Sequence, residues 1–418
     1  MKITRRHIDM LAAAIAEAEA TDRPADTLLH LFFRANPQLG AGDRALVADG
    51  LFGWLRRRRS MEALAETRHP PLLALAVLVR ELGHSVRELG PHLSGRETAW
   101  LEEFKGRKPE MSPAVAHDVP DWLWDRLGAF MTEEERSATV RAWLKPAPLD
   151  IRINPMRAKR EDIRETLAAE GIPAEPTPYS PLGLRIAGRP ALNRTAAFIS
   201  GDVEVQDEGS QLLGLMVQPK RNEMVVDFCA GAGGKTLLMG ALMRNQGRLY
   251  AFDTSEKRLA NLKPRLARSG LSNVNPQVIT HENDARIKRL AGKIDRVLVD
   301  APCSGLGTVR RNPDLKWRVT PQTVAELGAK QRAILAAAAK LVKPGGRLVY
   351  ATCSVLPEEN RDVVDAFLKD NSGFRLVPAG EVIARLEIPL QAGEYLELAP
   401  HREGCDGFFA AVLERAAS

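Results

Sequence analysis

The chain has 418 residues, of which 44% are hydrophobic and 5% aromatic, and it carries a net charge of +6. That length supports two or three domains with sizeable cores, no uncharged apolar run approaches the ~18 residues a membrane-spanning helix needs, and the modest basic excess leans toward a polyanionic partner. The four cysteines, Cys229, Cys303, Cys353 and Cys405, form no CxxC pair, and the histidines show no ligand spacing, which argues against a zinc site or a thioredoxin-type motif.

The N-terminal segment lacks the apolar core of a secretory signal, so a cytoplasmic protein with reduced thiols is expected. Residues 1–145 read as an all-helical domain, with apolar residues at helical spacing over Ile8–Ala20, Ala25–Arg34, Gly42–Arg58, Met61–Glu66, Pro71–Glu81 and Thr98–Phe104. The run Arg56-Arg57-Arg58-Arg59 closes one helix. It fits either solvated charge at a helix C-terminus or a phosphate-contact patch. A Pro-rich linker is predicted over Pro109–Pro120.

Residues 146–205 read as a small α/β, RRM-like subdomain. Leu149–Asn154 alternates like a strand, Arg160–Glu170 is helical, and Gly183–Ile186 and Phe198-Ile199 are predicted as short strands. From residue 206 to the end, strands and helices alternate. Strands are predicted at Met224–Phe228, Arg248–Phe252, Asn275–Thr280, Arg296–Val299, Arg347–Thr352 and Gly407–Leu413. That alternation implies a parallel, doubly wound, Rossmann-like sheet.

In such a sheet, chemistry sits at the carboxyl ends of the strands. The first predicted strand runs into Cys229-Ala230-Gly231-Ala232-Gly233-Gly234-Lys235-Thr236, a glycine cluster opening a helix. The glycines permit close backbone approach to a ligand, although such a turn also serves as a plain strand–helix corner and lacks P-loop spacing. Acids follow at successive strand ends: Asp253, placed to take a ribose diol, then Asp284 and Asp300. Cys303 and Cys353 each fall just past a strand, in Asp300-Ala301-Pro302-Cys303-Ser304-Gly305 and Thr352-Cys353-Ser354. Two thiols so placed suggest covalent chemistry on an electrophilic carbon, which a nicotinamide dinucleotide enzyme would not require. Cys229 and Cys405 read as small packing residues, and Trp317 as a packing residue.

These motifs, with Arg311-Asn312-Pro313-Asp314-Leu315-Lys316-Trp317, Gln206-Asp207-Glu208-Gly209-Ser210-Gln211 and Asp406-Gly407-Phe408-Phe409, resemble the Sun/RsmB-type RNA cytosine-C5 methyltransferases over residues 149–418. The resemblance implies S-adenosyl-L-methionine as cofactor. It implies Cys353 as nucleophile toward cytosine C6, Cys303 as the thiol assisting product release, and Asp300 and Lys235 as contacts to the base. It implies a cofactor pocket from the Cys229–Lys235 loop, Asp253, Lys257, Arg258, Asp284, Ala285 and Asp300. Where the family usually has Ala-Pro this chain has Gly231-Ala232. The N-terminal helices, through Asp43-Arg44-Ala45-Leu46-Val47, look like a divergent NusB-like, RNA-binding domain.

The target base must be unstacked to admit a thiol, so single-stranded or loop RNA is expected, with small-subunit ribosomal RNA favoured and transfer RNA the alternative. Arg310, Arg311, Lys316 and Arg318, with Arg56 and Arg57, are the expected RNA contacts. A DNA-type enzyme would instead attack through the Pro-Cys thiol, which the Thr-Cys-Ser motif argues against. A non-catalytic ribosome assembly factor would need none of Asp300, Cys303, Cys353 and Lys235. A monomer is the default expectation.

Overall fold

The computed structural model describes residues 2–417. It divides into two compact units, Met1–Pro146 with Val309–Thr320, and Ala147–Thr308 with Pro321–Ser418.

The first unit is helical. Its main helices are Arg5–Glu19, Ala25–Ala35, Ala41–Arg56, Arg58–Ala65, Pro70–Arg80 and Gly95–Gly106. They bury Ile8, Leu11, Ile15, Val47, Leu51, Trp54, Leu73 and Leu101 in one core. Gly50 lets two helices close on each other, since a Cβ there would meet Leu11 at 2.7 Å. The proline-rich passage is not a free linker. Residues Pro113–Ala116 form a helical turn, and buried Asp118 accepts the backbone N–H and hydroxyl of Ser60 at 2.8 and 2.7 Å. Two hydrogen bonds to one carboxylate anchor the passage to the helix Arg58–Ala65.

Val309–Thr320 belongs to this helical unit rather than to the second one. Lys316 Nζ donates to the Arg56 carbonyl at 2.7 Å and Trp317 Nε1 to the Leu55 carbonyl at 2.6 Å. Both acceptors lie at the end of the helix Ala41–Arg56, where carbonyls lack intrahelical donors and the dipole favours positive charge. Lys316 is fully buried, and burial pulls its ammonium down to about 7. The expectation that Lys316 contacts RNA is therefore corrected: its charged end points into the helical core. Trp317 packs as expected.

The arginine run is engaged in the same unit. Arg57 pairs with Glu81 at 2.7 Å, Arg58 with Glu62 at 3.1 Å, and Arg59 with Asp121 at 2.7 Å. Arg56 donates to the Arg310 carbonyl at 3.2 Å, and Arg318 donates to the Asp22 carbonyl at 2.8 Å. These contacts favour the helix-terminus reading of the run over a free phosphate patch.

The second unit holds two sheets. The smaller comprises β1 (Leu149–Ile153), β2 (Ala174–Pro176), β3 (Gly183–Ile186) and β4 (Val203–Val205), antiparallel in the order β2-β3-β1-β4. Ile151, Ile153, Leu184, Ile186 and Val203 form its core with Ile163 and Leu167. Asp150 and Arg185 stand opposite each other in register and pair at 2.8 Å. Phe198-Ile199, predicted as a strand, lies instead in the helix Ala196–Ser200. Thr195 caps that helix and Gly201, at φ +81°, ends it, two signals that outweigh β-propensity in a short segment.

The larger sheet comprises β5 (Met224–Asp227), β6 (Arg248–Asp253), β7 (Val274–Val278), β8 (Ile294–Asp300), β9 (Val342–Thr352), β10 (Phe374–Val377), β11 (Leu396–Leu398) and β12 (Phe408–Arg415). Its order is β10-β12-β9-β8-β5-β6-β7, with β11 also on β12. Strands β9, β8, β5, β6 and β7 are parallel, and their centres read as apolar runs because both faces are covered. The parallel, doubly wound sheet is completed at one edge by antiparallel strands: β12 runs antiparallel to β9, from Phe409 opposite Thr352 to Glu414 opposite Arg347, and β10 and β11 run antiparallel to β12. The fold is a Rossmann-like, doubly wound sheet with a second, smaller antiparallel sheet in the same unit.

Candidate active site

The site forms where β5, β6, β8 and β9 end side by side. After β5 the chain turns through Gly231 (φ +55°) and Gly233 (φ +82°) into the helix Gly234–Leu242. Both are left-handed positions that favour glycine. A Cβ on Gly233 would also meet Leu262 at 2.2 Å, whereas one on Gly231 would meet nothing within 4 Å. Asp253, at the end of β6, holds this turn: its Oδ2 accepts the Gly231 N–H at 2.8 Å and its Oδ1 the Ser255 N–H at 2.7 Å. The turn thus keeps its shape without the proline usual in the resembling family.

The end of β8 faces the start of the helix after β5. Lys235 Nζ and Asp300 Oδ2 pair at 2.8 Å. Burial alone would lower the lysine, but the Asp300 charge and hydrogen bond outweigh it, so the ammonium is held above its ordinary value. Just beyond lie the two thiols: Cys303 Sγ and Cys353 Sγ are 3.3 Å apart. The hydrogen bond with Cys353 and then burial push the Cys303 thiol well up. Burial does the same to Cys229. Cys405 is fully buried in the core, as a packing residue should be.

The loops carrying the thiols are locked through glycine backbone. Gly307 donates to the Cys353 carbonyl at 2.8 Å, and Gly407 donates to the Gly307 carbonyl at 2.8 Å. A Cβ on Gly307 would sit 2.0 Å from the Gly407 oxygen. Gly209 is similarly constrained, by Phe408 at 2.5 Å, and Asp207 accepts the Asp406 N–H at 3.2 Å. The motifs around Gln206–Gln211 and Asp406–Phe409 therefore work as packing partners of each other.

A cavity of about 730 Å³ opens over these groups. Its walls include Cys229, Ala230, Gly231, Ala232, Gly234, Lys235, Asp253, Arg258, Asp300, Cys303 and Cys353. Lys257, Asp284 and Ala285 are not on its lining. Asp284 instead caps a short helix, accepting the N–H of Arg286 at 2.9 Å and of Thr280 at 3.1 Å, and Ile279 and Glu282 stand on the wall. Gln206 and Ser210, which the sequence marks only within the Gln206–Gln211 motif and with no site role, also line it, as do Arg265 and Lys330, which the sequence does not mark at all. Gln206 is held by buried Arg152, whose guanidinium also donates to the Gly234 carbonyl at 2.8 Å. Burial lowers Arg152 to about 10. A polar residue two places along a strand from Asp150 was the available signal, but alternation assigns only one face to the core.

Residues 214–414 match the family described as 16S rRNA methyltransferase RsmB/F, and residues 119–193 match its ferredoxin-like domain. The chain is 35% identical over 311 residues to the probable ribosomal RNA small subunit methyltransferase B of Synechocystis sp., covering 73% of this chain and 69% of that one. It is 32% identical over 393 residues to the ribosomal RNA small subunit methyltransferase B of Serratia proteamaculans, covering 91% and 87%. Among solved structures, the crystal structure of PH0851 superposes with a TM-score of 0.80 at 28% identity, covering 99% of this chain and all of that one. No helix among the described residues is long and apolar enough to cross a membrane. With this site at its strand ends and these relatives along most of its length, the chain belongs to the RsmB/F family of ribosomal RNA small subunit methyltransferases.

Proposed function

We propose that the protein methylates C5 of a cytosine in small-subunit ribosomal RNA, in the cytoplasm, with S-adenosylmethionine as the methyl donor. The observation that carries this reading is the thiol pair, 3.3 Å apart at two neighbouring strand ends, beside the Lys235–Asp300 ion pair. A methyl transfer to oxygen or to an exocyclic nitrogen needs no such pair.

The cradle suits the donor. Gly231 leaves open space at the turn, and each Asp253 oxygen, after accepting one N–H, keeps a lone pair for a ribose hydroxyl. When bound, S-adenosylmethionine supplies an electrophilic methyl group. Cys353 is the attacking thiolate: its sulfur bonds to C6, and the C5–C6 electron pair moves onto C5, making that carbon nucleophilic. Asp300 faces the N3/N4 edge of the base, and Lys235 holds Asp300 in place while charge builds on the ring. After C5 is methylated, its proton leaves to a base, the electron pair reforms C5–C6, and the bond to Cys353 breaks. Cys303, whose thiol is held protonated by its hydrogen bond and burial, stands beside that breaking bond and assists release by giving its proton to the departing Cys353 sulfur, the C5 proton having gone to the separate base.

Bisulfite sequencing of total RNA from a deletion strain tests this. Complementation with the wild-type gene restores a 5-methylcytosine in small-subunit ribosomal RNA, and Cys353→Ala does not. Restoration by Cys353→Ala, or a site restored only in transfer RNA, overturns the reading in its mechanism or its substrate respectively.

A further inference from the structure

One buried carboxylate touches both thiol-bearing loops and has no part in the chemistry above. Glu359 lies in the turn Pro357–Glu359 after β9 and is 0% exposed. Its Oε1 accepts the backbone N–H of Ser304 at 2.7 Å and the Gln331 amide at 3.1 Å. Its Oε2 accepts the hydroxyls of both Ser304 and Ser354. Ser304 directly follows Cys303, and Ser354 directly follows Cys353. The two serine hydroxyls are themselves 3.2 Å apart.

The surroundings reinforce this arrangement. Gln331 also donates to the carbonyl of Pro302 at 2.9 Å, on the other side of Cys303. Tyr350 donates its hydroxyl to the Glu359 carbonyl at 2.6 Å, and Asn360 donates to the Ser354 carbonyl at 3.0 Å. Four donors occupy the lone-pair directions of one carboxylate. A buried carboxylate is costly and an apolar residue would fill the space at lower cost. A group satisfied on all sides by two separate loops fixes the distance between them.

We infer that Glu359 is the positioning residue of the site: by holding Ser304 and Ser354 on one carboxylate, it sets the separation and alignment of Cys303 and Cys353. This rests on the reading that both thiols serve one base. Its charge also helps hold the Cys303 thiol protonated, after the larger effects of the Cys353 hydrogen bond and burial.

The thiol pair provides its own ruler. Diamide oxidises two adjacent thiols to a disulfide and takes up both hydrogens, and the cross-linked peptides identify Cys303 and Cys353 by mass spectrometry. The full chain is compared as wild type, Glu359→Gln, Glu359→Ala and Ser354→Ala, with S-adenosylmethionine affinity measured by calorimetry. The wild type cross-links readily. Glu359→Ala cross-links at least about tenfold more slowly and loses kcat by at least the same factor, with cofactor affinity and KM for RNA kept. Glu359→Gln, which keeps the two donors on Oε1, recovers part of both rates.

Wild-type cross-linking and kcat in Glu359→Ala and Glu359→Gln overturn the proposal. If Glu359→Ala does not fold, Glu359→Gln and Ser354→Ala carry the test: slowed cross-linking supports it and wild-type rates in both overturn it. Should the wild type methylate no cytosine, the functional reading fails, while the cross-linking rates still decide whether Glu359 sets the thiol geometry.

Discussion

Asp227 makes the stability of the catalytic unit depend on pH in a predictable direction. It closes β5 at 1% exposure. Its Oδ2 accepts the Thr236 hydroxyl at 2.6 Å, and its Oδ1 has no protein donor. Burial pushes this carboxyl from 3.8 to about 7; the Thr236 hydrogen bond opposes the shift and the Asp300 charge adds to it. The folded state therefore keeps a proton that the unfolded state releases. The associated stability is complete below the unfolded value and is lost as pH rises to about 7. At about 1.4 kcal/mol per pH unit the whole shift amounts to about 4 kcal/mol, of which about 3 falls between pH 5 and 8.

Asp227→Asn removes the proton. The amide leaves a constant cost from its unpaired N–H, which cancels in a difference between two pH values. The stability of Asp227→Asn minus that of wild type should therefore rise by about 3 kcal/mol from pH 5 to 8. Urea unfolding followed by second-derivative tyrosine absorbance reads the right unit, because Tyr179, Tyr250, Tyr350 and Tyr395 all lie in it and all six tryptophans lie in the helical unit. Parallel stability–pH curves for the two proteins would refute the reasoning.

Two further substitutions probe the buried lysine and the glycine-locked loops. Lys316, lowered to about 7 by burial, is deprotonated in the folded state over a range where the unfolded chain still binds the proton, so stability rises with pH there. Wild type should gain about 2 kcal/mol over Lys316→Met from pH 7 to 9 in urea unfolding followed by tryptophan fluorescence; a gap that stays flat contradicts the buried placement. Gly307→Ala forces a Cβ against the Gly407 and Cys353 carbonyls, at 2.0 and 2.8 Å. It should cost about 1–3 kcal/mol and slow methylation, and an unchanged urea midpoint would show that the loops are not packed this tightly.

The strand ends bearing Asp300, Cys303 and Cys353 were legible because doubly covered strands read as apolar runs, which mark where each loop begins. The direction of β12 was not: its apolar content is the same whether it runs with β9 or against it. Asp284 followed an expected strand, as a ligand-binding acid would, but a carboxylate followed two residues later by a free N–H serves equally as a helix cap, and the structure uses it so. Lys316 sits among arginines, and nothing local marks one cation as buried; only the distant end of the helix Ala41–Arg56 decides it. Glu359 reads as an ordinary charge beside Glu358 in a turn. Its partners are separated from it by as many as 55 residues, so only the folded loops identify it.

The unequal roles of the two thiols are read out by trapping the protein–RNA adduct. Each variant is incubated with substrate RNA and S-adenosylmethionine and resolved on a denaturing gel. Cys303→Ala should accumulate a covalent protein–RNA species, because addition through Cys353 proceeds while release is impaired, and Cys353→Ala and the double variant should form none. An adduct in Cys353→Ala with none in Cys303→Ala would assign the attack to Cys303 and contradict these roles.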